Sequence, residues 1–337
     1  MRALIVASIV CAVAASAGTA TTRSDGLIAF TRYRLQDSPI WSEIWVARPD
    51  GSGARKISHS ARAAEDDGSQ WSPRGDWVAF DRCPGSGLCS VWLVHPDGSA
   101  QHRIAACGER GGCNDSGISF APDGRHVVFV REWGVVRQGS VPDDDQIDHS
   151  TVVETDLDGG HLRTLLRADG YTGGFASPRF APGGRALLYD QYGWNPARRV
   201  PDVLYVSSPD GSNRHRVTPA RLPAGSGSWS PDGRTILFKP ALPNVDELTP
   251  GTDLYSVAAD GSHLVQLTHV GAYHYVLAGA FSPDGKSIVY ATDAGAAPNP
   301  LGRTFADVFT LRLGAKHPLP VTRTANLDGW PSWGPAR

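Results

Sequence analysis

Three aspartates stand at matching positions in the sequence, each five residues before an aromatic residue that opens a repeated motif. They are Asp66, Asp115 and Asp328, and the aromatic residues are Trp71, Phe120 and Trp333. Clustered carboxylate oxygens are the ligands that a hard cation such as Ca²⁺ prefers. If the repeats bring the three side chains to one channel mouth, a Ca²⁺ or ligand site is expected there. The alternative is that each aspartate hydrogen-bonds within its own loop.

A second candidate is the aromatic and titratable run formed by Tyr273, His274 and Tyr275. We expect Tyr273 and His274 to stack on a sugar or a peptide, unless the run only packs the top of its blade. The sequence contains neither a GxSxG nucleophile motif nor an HExxH zinc motif. The residues therefore favour binding over catalysis.

Five copies of one motif determine where these candidates lie. The copies are WSPRGDWVAF at residues 71–80, FAPDGRHVVF at 120–129, FAPGGRALLY at 180–189, WSPDGRTILF at 229–238 and FSPDGKSIVY at 281–290. Proline pre-sets φ in the turn, aspartate hydrogen-bonds the following backbone, and glycine takes the positive φ that closes a hairpin. The apolar run that follows is typical of a strand buried on both faces. Self-similarity at this period indicates a repeat fold.

The two ends of the chain complete the pattern. Each repeat continues with an apolar strand, an Asp-Gly turn and a fourth strand, but only five hairpins are complete. Residues 26–30 match the second half of the motif, and residues 331–335 match the first half. Pairing the two segments would complete a sixth unit and remove both free sheet edges. The sequence therefore predicts an all-β fold, a six-bladed β-propeller over residues 25–337 that is closed by its N- and C-terminal strands.

The repeat resembles the WD40-like PD40 repeat of the TolB-type six-bladed propellers. The resemblance rests on the WSPDG unit, the apolar strand after it and the second Asp-Gly turn, and it covers nearly the whole chain beyond residue 25. It implies the same propeller. TolB carries an α/β domain before its propeller, and we expect this chain to lack that domain.

Residues 1–20 are predicted to be a signal peptide. Arg2 is followed by the apolar run of residues 3–17, which is shorter than the ~20 residues of a membrane-spanning helix. Cleavage is expected after Ala17 or Ala20. We therefore expect an exported chain, periplasmic or extracellular, that is monomeric and has no stable membrane span once mature.

Four cysteines of the mature chain are potential disulfide partners in an oxidising compartment. They are Cys83, Cys89, Cys107 and Cys113. Four cysteines allow three connectivities, and we predict the local pairs Cys83–Cys89 and Cys107–Cys113 because each closes one glycine-rich loop. The alternative is a zinc site made by all four thiolates, for which the usual CxxC spacing is absent.

Strand direction divides the predicted propeller into two faces. The SPDG turns lie on the turn face, and the longer loops lie on the long-loop face, where we expect the binding surface together with the channel mouth. A formal net charge of -2 without a basic patch gives no indication of a nucleic-acid partner. The sequence thus favours an exported, non-catalytic propeller that binds a protein or peptide of the cell envelope. The alternatives are a polysaccharide lyase or hydrolase with carboxylates from several blades, and a purely structural module.

Overall fold

The computed structural model describes residues 26–35, 40–60, 63–85, 87–104, 107, 112–134, 149–169, 173–193, 200–240, 251–296 and 305–336. These residues form 24 β-strands and no helix. The strands make six four-stranded sheets, and neighbouring strands pair antiparallel. The prediction of an all-β, six-bladed propeller is confirmed.

The first three blades contain the N-terminal half of the chain. Blade 1 contains β1 (Ile28–Tyr33), β2 (Ser42–Ala47) and β3 (Arg55–Lys56), with the last strand of the chain, β24 (Leu327–Trp333), as its inner strand. Blade 2 contains β4 (Ala64–Trp71), β5 (Val78–Pro84), β6 (Ser90–Val94) and β7 (His102–Arg103). Blade 3 contains β8 (Asn114–Phe120), β9 (His126–Trp133), β10 (His149–Asp156) and β11 (Arg163–Asp169).

The other three blades follow the same order from the inner strand outward. Blade 4 contains β12 (Gly174–Phe180), β13 (Leu187–Gly193), β14 (Val200–Ser207) and β15 (His215–Arg216). Blade 5 contains β16 (Ala224–Trp229), β17 (Thr235–Pro240), β18 (Tyr255–Ala258) and β19 (Val265–Gln266). Blade 6 contains β20 (Val276–Phe281), β21 (Ser287–Thr292), β22 (Asp307–Arg312) and β23 (Leu319–Pro320).

Blade 1 closes the ring, because its inner strand comes from the other end of the chain. In the register of β1 with β24, Ile28 lies opposite Trp333 and Arg32 lies opposite Asp328. The Gly334 amide donates to the Leu27 carbonyl at 2.8 Å, and the Trp333 indole N–H donates to the Gly26 carbonyl at 3.1 Å. The predicted pairing of the two termini is confirmed. It leaves no blade with an unpaired inner strand at the junction.

The turn between the inner strand and the second strand of a blade has the predicted hydrogen bond and glycine conformation, as blade 5 illustrates. The Asp232 carboxylate accepts from the Arg234 amide at 3.1 Å, and Gly233 adopts a φ of 69°, which favours glycine. Ser230 adds two bonds that the sequence did not predict. Its hydroxyl donates to Asp232 at 2.6 Å and accepts from the Thr235 amide at 2.9 Å. The serine and aspartate of the motif together fix the hairpin geometry.

Every inner strand contains a β-bulge. The register against the second strand shifts near the middle, for example between Asp67 and Gln70 in blade 2 and between Ala176 and Arg179 in blade 4. The bulged residue has a positive φ in five blades: Gly68, Gly117, Ser177, Ser226 and Trp330. A bulge adds one residue to one strand and so changes which side chains share a face of the sheet. The bulges therefore determine which residues face the channel.

The core lies between neighbouring sheets. The apolar run of each second strand is buried on both faces, and Phe30, Phe80, Phe129 and Phe238 are inaccessible to solvent. Each such run packs against the strands of an adjacent blade, as when Phe129 of blade 3 packs with Leu93 of blade 2. Burying one such side chain stabilises the fold by roughly 1.5–3 kcal/mol, so the blade interfaces form a rigid ring.

Both predicted disulfides are present. Cys83 near the end of β5 joins Cys89 just before β6, and Cys107 joins Cys113 just before β8. The four thiols are thereby accounted for, and the zinc alternative is excluded.

Several predictions fall partly or wholly outside the described residues. These are the signal peptide at residues 1–20 and much of the long loops, including residues 135–148, 194–199 and 241–250. In the described part, no helix is long and apolar enough to cross a membrane.

Candidate functional site

The three matching aspartates are each bound to an arginine of their own blade. Asp66 pairs with Arg82, Asp115 with Arg131, and Asp328 with Arg32. Each contact is bidentate, with Nε to Oδ1 at 2.6–2.7 Å and Nη2 to Oδ2 at 2.8 Å. The aspartates are essentially buried, with 0–1% of their surface exposed. A carboxylate that is held by both guanidinium nitrogens has little capacity left for a cation.

Strand register explains this pairing. The aspartate on the inner strand lies directly opposite the arginine on the second strand in blades 1, 2 and 3. In blades 1 and 2 the guanidinium carbon also lies 4.4 Å from the ring centre of Trp45 or Trp92 on the third strand. The same aspartate–arginine pair therefore connects the inner strand to the second strand in three blades.

The structure does not assemble the predicted Ca²⁺ site. Among the described residues, no group of three His, Cys, Asp or Glu side chains is arranged to hold a metal ion. Each of the three aspartates instead stabilises its own blade. The sequence-based alternative of separate local roles is the better description, although the partner is an arginine on the neighbouring strand rather than a loop amide.

Tyr273 and His274 lie just before β20, at the start of an inner strand and so on the long-loop face. Tyr273 is 88% exposed. The His274 Nδ1 atom lies 3.4 Å from an Asp293 carboxylate oxygen, and the Tyr275 amide donates to the same carboxylate at 2.9 Å. Tyr275 is buried, and burial raises the pKa of its hydroxyl to about 12. The run is thus partly packing and partly exposed, and its role in binding stays a prediction.

A cavity of about 400 Å³ opens at the channel mouth on the turn face. Its wall contains one aromatic residue from each of the six blades, the residue that ends each inner strand. These residues are Trp71, Phe120, Phe180, Trp229, Phe281 and Trp333. Prolines of the SPDG-type turns surround them, and Pro73, Pro182 and Pro231 are exposed to solvent. We call this set of residues the aromatic mouth.

Arg179 is the charged residue of the aromatic mouth. It occupies the position directly before the aromatic residue of blade 4, and the matching residues of the other blades are Gln70, Ser119, Ser228, Ala280 and Ser332. The Nε atom of Arg179 is buried and has no hydrogen-bond partner among the described residues. The Trp229 indole N–H donates to the Arg179 carbonyl at 3.1 Å, which fixes the backbone at this point.

Two channel aspartates act on Arg179 electrostatically from the second strands of blades 2 and 4. Asp81 accepts from the Gly117 amide of blade 3 at 2.7 Å, and Asp190 accepts from the Ser226 amide of blade 5 at 2.9 Å. Burial raises the pKa of each carboxyl to about 7, against the opposing effect of these amides and of Arg179. Burial also lowers the pKa of Arg179. Two carboxyl groups whose ionisation is disfavoured by burial therefore interact with the charge of Arg179.

A separate polar cluster connects blades 3 and 4 on the long-loop side. Tyr192 donates to Glu132 at 2.6 Å, and Asn114 donates to the same carboxylate at 3.2 Å. Burial raises the pKa of Glu132. Glu132 is thus a buried carboxyl group that accepts a hydrogen bond from a tyrosine hydroxyl of the next blade.

The aromatic mouth lies on the turn face, whereas the sequence predicts the binding surface on the long-loop face. The sequence nevertheless carries a signal for the aromatic mouth. The signal is that one aromatic residue recurs at the same end of every inner strand, because strands around a closed ring bring equivalent residues to one rim.

Comparison with known sequences gives partial matches. No protein-family model matches the chain. An uncharacterized protein of Agrobacterium fabrum is 30% identical over 168 residues, which cover 48% of this chain and 51% of that protein. The Tol-Pal system protein TolB of Gluconobacter oxydans is 39% identical over 62 residues, or 18% of this chain and 12% of that protein. The matched region thus spans about half the length of the first relative and a small part of the second.

Comparison with solved structures covers nearly the whole chain. TolB from Acinetobacter baumannii superimposes with a TM-score of 0.63 at 17% identity, covering 92% of this chain and 67% of that chain. The putative TolB from Agrobacterium tumefaciens gives 0.57 at 16% identity, covering 90% and 91%. An oligogalacturonate lyase in complex with manganese gives 0.52 at 15% identity, covering 82% and 70%. The chain has the six-bladed β-propeller fold of TolB.

Proposed function

We propose that this propeller binds a peptide segment of a protein partner in the aromatic mouth on its turn face. The observation that carries the proposal is the convergence of six aromatic side chains, one from each blade, around a cavity of about 400 Å³. Aromatic residues dominate binding hot spots, since they offer large contact areas and lose little conformational entropy on binding. A rigid ring of blades pre-organises them, which lowers the cost of association.

The cellular setting of the proposal is the bacterial cell envelope. Two of the structural neighbours carry the name TolB, and the Gluconobacter oxydans relative is a protein of the Tol-Pal system. Two disulfides suit an oxidising compartment such as the periplasm or the extracellular space. An exported, protein-binding propeller is consistent with both observations.

A cavity-filling variant tests the proposal. Ala280 lines the aromatic mouth, and the matching positions of other blades hold Gln70 and Arg179, so a larger side chain fits the backbone there. We expect peptides selected by wild-type protein from a random phage-displayed library to lose binding to Ala280→Phe. Val265→Phe is the matched control, because Val265 is 51% exposed on the outer strand β19. Selected peptides that bind all three proteins equally would contradict the proposal.

The alternative function is a lyase or hydrolase acting on an envelope polysaccharide. The observation in its favour is the buried Glu132–Tyr192 pair, together with structural neighbours named oligogalacturonate lyase. The test is incubation with oligogalacturonates, followed by ultraviolet absorbance of unsaturated products or by a reducing-sugar assay. Activity that is lost in Glu132→Gln and retained in Ala280→Phe would favour this alternative over peptide binding.

A further inference from the structure

Arg179 differs from every other described residue that lines the aromatic mouth, because it alone carries a charge. The matching position in the other blades holds an amide, a small hydroxyl or a methyl side chain. The arginine is therefore not required by the repeat. A half-buried guanidinium is costly where a buried N–H group lacks a hydrogen-bond partner, which raises the question of what Arg179 binds.

The carboxyl groups of the two aspartates near Arg179 accept hydrogen bonds from backbone amides. The oxygens of Asp81 accept from the amides of Gly117 and Ile118 at 2.7 and 3.3 Å, and Asp190 Oδ2 accepts from the Ser226 amide at 2.9 Å. These backbone bonds hold the two carboxylates on the channel wall. The Nε atom of Arg179 is buried and has no hydrogen-bond partner in the described part of the chain. The Arg179 side chain is half-buried and lines the aromatic mouth, so part of it is exposed to the cavity.

We propose that Arg179 binds a carboxylate of the peptide that occupies the aromatic mouth. This inference rests on the proposed function and names the chemistry that the partner must carry. A planar guanidinium presents parallel N–H donors that match the two oxygens of a carboxylate. A peptide that covers the aromatic and proline side chains of the cavity would displace water from the guanidinium, which strengthens a charge-assisted hydrogen bond. The preferred ligand is a short apolar segment that ends in, or contains, one carboxylate.

Three tripeptides distinguish the sources of the carboxylate. The first is acetyl-Ala-Pro-Phe with a free C-terminal carboxylate, and the second is acetyl-Glu-Pro-Phe-amide, which carries a side-chain carboxylate. The third is acetyl-Gln-Pro-Phe-amide, which is neutral. Calorimetric titration of the wild-type protein should give binding of at least one acidic peptide about 10- to 100-fold tighter than of the neutral peptide.

Arg179→Gln is the matched variant, since Gln70 occupies the same position in blade 2. It should remove the preference for the acidic peptide and leave the affinity for the neutral one nearly unchanged. Arg185→Gln is the control, because Arg185 is exposed in the turn of the same blade and lies outside the cavity lining. It should keep the preference. Melting curves of both variants show that the change is not a loss of folding.

The outcomes separate this inference from the proposed function. Equal binding of acidic and neutral peptides to the wild-type protein would overturn the role of Arg179 and leave peptide binding intact. A preference that survives in Arg179→Gln would also overturn it. If none of the peptides binds, or if digalacturonate binds more tightly than all of them, the inference and the proposed function are both contradicted.

Discussion

Arg32 and Asp328 lie 296 residues apart in the chain and are joined by two hydrogen bonds of 2.7 and 2.8 Å. Both side chains are buried. Their strands, β1 and β24, bring the two ends of the sequence into one sheet. The same contact occurs within blades 2 and 3, where both partners come from one continuous hairpin. Blade 1, which closes the ring, therefore contains the same aspartate–arginine pair as blades 2 and 3.

Breaking the pair at the closure should destabilise the whole ring. We expect Asp328→Ala to lower the free energy of unfolding by ~3–5 kcal/mol, because it leaves the Arg32 charge buried without a partner. The double variant Arg32→Met, Asp328→Leu should recover most of the loss. Urea unfolding measures both, with the exposed Asp50→Ala as a control. A loss below ~1 kcal/mol in Asp328→Ala would contradict this account of the closure.

Because Asp66, Asp115 and Asp328 are each bound to an arginine, we expect calcium to have no effect on the stability of the protein. Added Ca²⁺ should leave the melting temperature of the wild-type protein unchanged, because a cation that does not bind the folded state cannot stabilise it by mass action. Differential scanning fluorimetry, with and without a chelator, measures this. A calcium-dependent rise that disappears in Asp115→Ala would restore the cation site first predicted from the sequence.

The two disulfides should be resolved by peptide mapping. Non-reducing digestion should yield Cys83 linked to Cys89 and Cys107 linked to Cys113. Each bond closes a small loop, so the chain-entropy model gives each about 2–3 kcal/mol. Reduction should lower the melting temperature and leave the β-sheet circular dichroism intact. Cross-linked pairs between the two loops would contradict the structure.

Stability should fall as the pH rises through the range in which the channel aspartates titrate. Asp81 faces Asp67 and Arg179, and Asp190 faces Asp202 and Arg179. Burial raises the pKa of both carboxyls to about 7, whereas an unfolded aspartate has a pKa of about 3.9. Between about pH 4 and pH 7 the folded state binds more protons than the unfolded state. Raising the pH through this window therefore lowers the free energy of unfolding.

Asparagine variants isolate this effect from the other titrating groups. Asp190→Asn should raise the melting temperature at pH 8 and reduce its decline between pH 5 and pH 8, since the amide keeps an acceptor for Ser226 and cannot ionise. The exposed Asp210→Asn is the control. An identical decline in wild type and Asp190→Asn would show that Asp190 does not titrate in this window.

Much of the fold could be predicted from the sequence, because the repeat determines it locally. The Pro-Asp-Gly turn, the apolar second strand and the split motif at the two termini gave the blades and their closure. Cys83 and Cys89 could be paired because they bracket one loop. These features depend on residues close in sequence, or on a motif whose two halves are recognisable.

The aspartate–arginine pairs could not be predicted because they depend on strand register. Asp66 and Trp71 are five residues apart, an odd spacing that places them on opposite faces of a regular strand. The bulge at Gly68 adds one residue, so Asp66 lies opposite Arg82 on the face that also buries Phe80. The recurrence of arginine two residues after the strand aromatic in the same three repeats was the available signal. It becomes meaningful only when the register is known.

The central claim, that partners bind the aromatic mouth, is tested most directly by site-specific photo-crosslinking. Benzoylphenylalanine replaces Phe180 in the aromatic mouth in one variant, and Tyr273 on the long-loop face in another. Both are irradiated with a biotinylated peptide that binds the wild-type protein, and the crosslinked product is located by mass spectrometry. We predict crosslinking from position 180 and none from position 273. Crosslinking from position 273 alone would place the binding surface on the long-loop face and contradict the account.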